Sequence, residues 1–391
     1  MTRSCKACFR AAALLIAFAT APAIAQNKPS TSEGIAAALQ PFVESHSLAG
    51  AVTLVADKDK VLSVDTSGFA DVEAGKPMRA DALFWIASQS KPITAAALMM
   101  LVDEGKARLD DPVAKYLPEF RELWLAVEKD NDHMSLKRPS RPVTVRDILS
   151  HTSGLPFSSA MEVPTLDALP LRTAVRSYAM TPLLFDPGSK YQYSNAGINT
   201  AGRIIEVVSG MPYEEFLDKR LFEPLGMKDT TFWPNEEQLT RLAKAYKPNA
   251  RKNGLEATAV GQLQYPLNDR KRQPMPAGGL FSTAEDIGKF CRMMLNKGIL
   301  DGKRYLAEES VAEMAKKQTG ESIKDGYGLG FSTGGGSFGH GGAFATNMTI
   351  DTKRGLVTVF LVQHAGFHGD GGKSHGAFKQ AAEQAFGDSK K

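Results

Sequence analysis

Two registers of apolar spacing run along this chain, and their order predicts its architecture. Residues 50–57 and 61–68 are apolar and β-branched in the manner of two strands, with Asp57-Lys58-Asp59-Lys60 as the polar turn of a hairpin. A second pair, Phe344 to Ile350 and Leu356 to Val362, is joined by the turn Asp351-Thr352-Lys353-Arg354-Gly355. Between the two pairs the spacing becomes helical. Thr144 opens Val145 to Ser150, and Ile198, Ala201, Ile205 and Val208 recur at three- and four-residue steps after Asn195. Ser282-Thr283-Ala284-Glu285 reads as a capping box leading to Lys297 and Gly298. Helices are also expected at the ends, Glu33 to Ser45 and Lys373 to Phe386. Early and late strands then form one antiparallel sheet flanked by the terminal helices, and the α-rich middle forms an inserted lobe: an α+β fold. The sheet lobe is expected over about residues 26–85 and 300–391 and the helical lobe over 86–299, with strands returning only near the end. No internal repeat, heptad pattern or low-complexity linker interrupts this plan.

The first 25 residues stand apart. Arg3, Lys6 and Arg10 precede an apolar run from Ala11 to Ala21, and Ala23-Ile24-Ala25 is a small-x-small cleavage signal. This reads as a secretory signal peptide cut near Ala25, giving a secreted or periplasmic product. The apolar run is shorter than the roughly 20 residues of a membrane-spanning helix, and no later segment is long and apolar enough to anchor the mature chain. Cys5 and Cys8 leave with the signal, so Cys291 remains alone and an internal disulfide is excluded. At 43% hydrophobic and 23% charged the composition is that of an ordinary globular protein. Loss of the three leader cations takes the formal net charge from +4 to +1, which leaves no basic footprint for nucleic acid.

Three short motifs carry the chemistry. In Ser88-Gln89-Ser90-Lys91, at the start of an apolar helical stretch, the hydroxyl and the amine are three residues apart and share a helix face, with Cβ atoms about 5–6 Å from one another. Tyr193-Ser194-Asn195 follows the turn Asp186-Pro187-Gly188 and directly precedes a helix; extended geometry there sends Tyr193 and Asn195 to one side and Ser194 away. Asn195 also fits a helix N-cap. His340-Gly341-Gly342-Ala343 precedes the run from Phe344, and its glycines let a substrate approach the backbone closely.

These three motifs in this order resemble the penicillin-recognising serine hydrolases, in particular the branch of class C β-lactamases, DD-peptidases and β-lactamase-like esterases. Ile148-Leu149-Ser150-His151-Thr152-Ser153-Gly154-Leu155, Pro187-Gly188 ahead of Tyr193, and Pro224-Leu225-Gly226-Met227 extend the resemblance over roughly residues 35–385. It implies a β-lactamase/transpeptidase-like fold, with one hydrolase domain over residues 26–391, and no cofactor or metal. It implies Ser88 as nucleophile, Lys91 as its neighbour in proton transfer and Tyr193 as general base or acid. Asn195 would hold Lys91 in register and bond a substrate amide or ester, and the backbone N–H groups of Ser88 and Ala343 would form an oxyanion hole. Free tyrosine and lysine titrate near 10, so a base poised near 7 needs roughly 4 kcal/mol of local electrostatics. A close Lys91–Tyr193 pair would supply part of it and titrate as one unit.

The chain departs from the β-lactamase pattern at His340-Gly341, where lysine and a hydroxyl residue usually stand. Without them a substrate carboxylate loses a charge and a hydrogen bond. The expected substrates are therefore small-molecule or peptide esters and amides, handled by an esterase or a D-amino-acid peptidase. A class C-type β-lactamase, and a sensor that is acylated without turnover, remain as alternatives. Three other patterns compete less well. Gly335-Gly336-Ser337-Phe338-Gly339 matches the nucleophile elbow of α/β-hydrolases but lacks the strand before and the helix after. His364, His368, Asp370 and His375 could ligate zinc but lie in a glycine-rich loop. Ser150-His151 sits at a helix end, where structural hydrogen bonding is expected.

Overall fold

The computed structural model describes residues 33–387, apart from 322 and 325, together with residue 1. Residue 1 aside, the signal peptide expected over residues 1–25 lies outside the described residues. The helix Glu33–Glu44 (α1) leads into strands Gly50–Ala56 (β1), Val61–Asp71 (β2) and Lys76–Pro77 (β3). These join the late strands in a seven-stranded antiparallel sheet, ordered Ser332–Gly334, Ser337–Gly341, Asn347–Asp351, Leu356–Leu361, β1, β2, β3. Early and late chain meet where Val52 pairs with Leu361 and Leu54 with Val359.

β1 is buried on both faces, which explains its near-continuous apolar sequence. Ala51 and Val55 point toward α1 and the C-terminal helix Ser374–Phe386, packing with Ile35, Leu39, Phe378 and Ala382. Val52, Leu54 and Ala56 point the other way, into the main core that contains Ile287 and Phe290 of the helix Ala284–Leu295. The period-two alternation of a strand sorts these residues between two layers of helix. Cys291 is buried in the same helix.

The middle of the chain supplies Ser90–Asp103 (α2), Val145–Ser150 (α3), Leu171–Ala179 (α4) and Asn195–Ser209 (α5). Residues Ser90 to Leu101 of α2 are buried without interruption, so this is a central helix with no solvent face over most of its length. Thr144 caps α3, and Asp147 closes the reciprocal capping box.

Four expectations are corrected. Strands do not return only near the end, because Phe84–Trp85 pairs with Phe281–Ser282, Leu125–Lys129 with Met134–Lys137, and Ala245–Pro248 with Leu255–Thr258. Pieces of two to five residues are too short to establish a period. His340 and Gly341 lie inside the strand Ser337–Gly341 rather than ahead of one. The next strand begins at Asn347 rather than Phe344, because Gly342 N–H donates to Thr346 O at 2.8 Å and Ala345 takes φ 64° to close a turn. The cap of the helix Ala284–Leu295 is Thr283, which accepts from the Asp286 amide, while Ser282 belongs to a two-residue strand.

Candidate active site

The first motif forms at a tight corner. Ala87 adopts φ 47°, Ala87–Gln89 make a single 3-10 turn, and α2 follows directly. Left-handed backbone is costly for a residue with a Cβ, and such strain concentrates at functional positions. Three residues on, Lys91 Nζ lies 3.1 Å from Ser88 Oγ and donates to the Ala277 carbonyl at 2.7 Å. Lys91 is fully buried, and burial pushes its pKa far below the ordinary lysine range.

The second motif faces the first. Ser194 takes extended backbone and caps α5, its Oγ accepting from Gly197 N–H at 3.0 Å and donating to Pro156 O at 2.6 Å. This turns the Tyr193 ring inward, where it lies 4.6 Å from Lys91 Nζ and hydrogen-bonds Ser88. Burial raises the phenol pKa, opposed by that Ser88 bond. Desolvation therefore outweighs the mutual attraction expected of an ammonium–phenolate pair and favours a neutral amine beside a neutral phenol. Asn195 supplies neither the α5 cap nor the two Lys91 hydrogen bonds; its backbone N–H donates to Phe157 O at 3.0 Å. Ala277, through its carbonyl, is the residue that fixes Lys91.

The Tyr193 ring is gripped by neighbours. Phe157 stacks on it at 6.4 Å, and His151 packs against it at 4.6 Å. His151 closes α3 at φ 61°, and its Nδ1 accepts the Ser194 N–H at 3.2 Å. The bond to backbone expected of this residue is present, yet its ring also touches Tyr193 and lies 4.6 Å from Tyr327. Burial first, then the nearby Lys91 and His340, hold the His151 imidazole well below its usual pKa.

The third motif completes the enclosure. His340 Nδ1 donates to Gly341 O at 2.6 Å, so its Nε2 accepts from the Tyr327 hydroxyl at 3.0 Å. Burial and the nearby Lys91 push the His340 pKa down to about 3, against the opposing bond to Gly341 O. A Cβ on Gly342 would stand 2.1 Å from Thr346 Oγ1 and 2.5 Å from Ile86 O, whereas one on Gly341 would meet nothing closer than 3.6 Å. Only bare backbone at 342 lets the Ala343 turn press against the corner that carries Ser88. Neither the Ser88 nor the Ala343 amide donates to a backbone carbonyl among the described residues. Gly342→Ala is expected to cost about 10²-fold in kcat/KM on an activated ester, from a displacement of about 1 Å at the amide. Gly341→Ala is expected to stay within a few-fold of wild type, and equal effects of the two would refute this account.

An apolar wall flanks the nucleophile, built from Trp85, Ala87, Leu263, Met275 and Phe344. Phe157, Met161, Val163 and Tyr265 expose apolar surface on the loops above it. Those loops are tied by a buried ion pair: Arg272 Nε donates to Asp167 Oδ2 at 2.8 Å, with both side chains at most 2% exposed. Asp167→Ala strands a buried guanidinium and is expected to lower unfolding stability by about 3–5 kcal/mol in urea titration. Replacing both residues with apolar ones of similar size should recover most of that loss.

The competing patterns lie elsewhere. Ser337 opens a strand and donates to Gly334 O at 3.0 Å, with no helix behind it. His364 Nε2 accepts from Ala49 N–H at 3.1 Å and His368 Nε2 donates to His46 O at 2.7 Å. Among the described residues no group of three or more His, Cys, Asp or Glu side chains is placed to hold a metal ion.

Comparison with known proteins bears on the family and the fold. A family model described as Beta-lactamase matches residues 35–382. Esterase EstB of Burkholderia gladioli is 30% identical over 361 residues, covering 81% of this chain and 86% of the relative. Penicillin-binding protein 4 of Amycolatopsis lactamdurans is 30% identical over 278 residues, covering 71% of this chain and 67% of the relative. Among solved structures, EstCE1, described as a hydrolase with promiscuous acyltransferase activity, superposes with a TM-score of 0.75 at 25% identity, covering 90% of this chain and 97% of that one.

Proposed function

The chain belongs to the beta-lactamase family and is a serine hydrolase of esters or amides, and on that premise we propose that it is a secreted esterase working through an acyl-enzyme on Ser88. Neutral Lys91 takes the Ser88 proton as Oγ bonds to the substrate carbonyl carbon, and the developing oxyanion is met by the Ser88 and Ala343 amides. Collapse breaks the bond to the leaving oxygen, which receives its proton from Tyr193; the phenol is reprotonated by the Lys91 ammonium, restoring both neutral groups. Water then attacks the ester on Ser88 by the same steps in reverse. In this reading the side chain of Asn195, at the head of α5, donates to a substrate amide or ester oxygen. Secretion rests on the leader sequence, and no helix among the described residues is long and apolar enough to cross a membrane.

The observation that carries the choice of ester over β-lactam is His340. Both its nitrogens are engaged, its environment keeps it neutral, and Gly341 beside it has no side chain to donate. A β-lactam carboxylate would find neither the charge nor the hydroxyl that it needs there. The test is one purified protein assayed in parallel on p-nitrophenyl acetate, a chromogenic cephalosporin and a D-Ala-D-Ala peptide. Turnover of the ester alone supports this reading, and turnover of the peptide or the cephalosporin at higher kcat/KM overturns it. A single burst without turnover on any of the three would instead indicate a sensor.

A further inference from the structure

Among the described residues Lys91 has no carboxylate partner, and Ala277, whose carbonyl holds it, begins a run of hydrogen bonds leading away from the cleft. Lys91 Nζ donates to Ala277 O at 2.7 Å, and Ala277 N–H donates to Asn199 Oδ1 at 3.0 Å. Asn199 Nδ2 donates to Tyr178 Oη at 2.9 Å, and the Tyr178 hydroxyl donates to Glu162 Oε1 at 2.7 Å. The other Glu162 oxygen accepts from Ser159 N–H at 2.7 Å. Every donor points the same way, from the lysine toward a buried carboxylate. Asn199 lies one helical turn beyond Asn195 on α5, Tyr178 lies on α4, and Glu162 lies in the loop that carries Phe157, Met161 and Val163. No salt bridge involves Glu162 among the described residues; only Tyr178 and the Ser159 amide satisfy it, and a buried carboxylate held this way is costly unless the arrangement is used.

We infer that Glu162, Tyr178 and Asn199 are positioning residues for Lys91, locking the Ala277 carbonyl in place from behind so that the amine stays within reach of Ser88. The bonds to the Ala277 N–H and to its carbonyl hold the residue from both sides. The Glu162 carboxylate seats the loop at the mouth of the cleft, so loop geometry and lysine geometry are set by one anchor. The inference rests on the reading of Lys91 as proton acceptor.

Two variants cut the chain at different links. Glu162→Gln removes the charge and leaves one oxygen for the two donors, the Tyr178 hydroxyl and the Ser159 N–H, and Tyr178→Phe breaks the link without changing charge. In each, kcat on p-nitrophenyl acetate is expected to fall about tenfold with KM within about twofold of wild type. A second readout needs no turnover: the 13Cε resonance of Lys91, assigned by its loss in Lys91→Met, should titrate at lower pH in both variants. The direction follows from the loosened carbonyl, which stabilises the ammonium less. Besides this carbonyl, the titratable groups facing Lys91 are Tyr193, His151 and His340, all unchanged in the two variants, and the one facing Glu162 is Tyr178. An unchanged Lys91 midpoint in a variant that melts near the wild-type temperature overturns the inference, as does a rise in KM with kcat unchanged. Should Glu162→Gln not fold, Tyr178→Phe decides it alone. Absence of wild-type ester turnover would count against the proposed function, whereas the lysine titration still decides the positioning chain.

Discussion

Ser88→Ala is expected to abolish covalent labelling by a fluorophosphonate and to reduce ester turnover by a factor of about 10⁶, near the level left by binding and the oxyanion amides alone. The magnitude follows from what the hydroxyl does. Without Oγ there is no atom to carry the acyl group, and neither Lys91 nor Tyr193 replaces it as nucleophile while burial keeps the one clamped to Ala277 and the other packed under Phe157. Neighbouring hydroxyls are committed elsewhere: Ser90 Oγ donates to Ala87 O and Ser194 Oγ to Pro156 O. Mass spectrometry of the intact protein after labelling gives the answer directly. Label that persists in the variant would transfer the role of nucleophile to another serine, with Ser337 the first to be examined.

Tyr193→Phe is expected to lower kcat by about 10²–10⁴-fold while leaving KM and the melting temperature close to wild type. The ring remains where Phe157 and His151 hold it, since both contacts are to its faces and edges rather than to the hydroxyl. What disappears is the group that hydrogen-bonds Ser88 and would protonate the leaving oxygen. Labelling by the fluorophosphonate should persist at a reduced rate, because fluoride needs no proton to leave. Steady-state kinetics and a thermal melt on the same preparation check both halves. Turnover at the wild-type rate would remove Tyr193 from the mechanism.

Much of the fold was legible because it rests on local periodicity. The hairpin of β1 and β2, the terminal helices, the Thr144 cap and the helix after Tyr193 each leave a pattern within a dozen residues. The misplacements have local causes as well. Ser194 rather than Asn195 caps α5, and Thr283 rather than Ser282 caps the helix Ala284–Leu295, because both neighbours are capping types and only the backbone angles choose between them. The late strand slipped by three residues because Ala345 adopts a left-handed conformation that composition does not announce.

The site divides in the same way. The sequence by itself determined which groups are available: a hydroxyl and an amine one helical turn apart, a phenol at the head of another helix, and a pair of glycines that let a substrate approach the backbone closely. It could not determine their protonation, because desolvation depends on how much protein surrounds a group, and that is summed over contacts from the whole chain. Where the proton sits between Lys91 and Tyr193 was open in the sequence; burial favours the neutral form of both, and it leaves His340 neutral as well. Nor do Ala277, Tyr178 or Glu162 lie in a motif, and the segment that holds His151 does not announce its contact with Tyr193. Their roles come from a backbone carbonyl, a helix end and a loop that meet only on folding, from 16 positions apart for Tyr178 and Glu162 to 186 for Lys91 and Ala277, and only tertiary structure decides which of them touch.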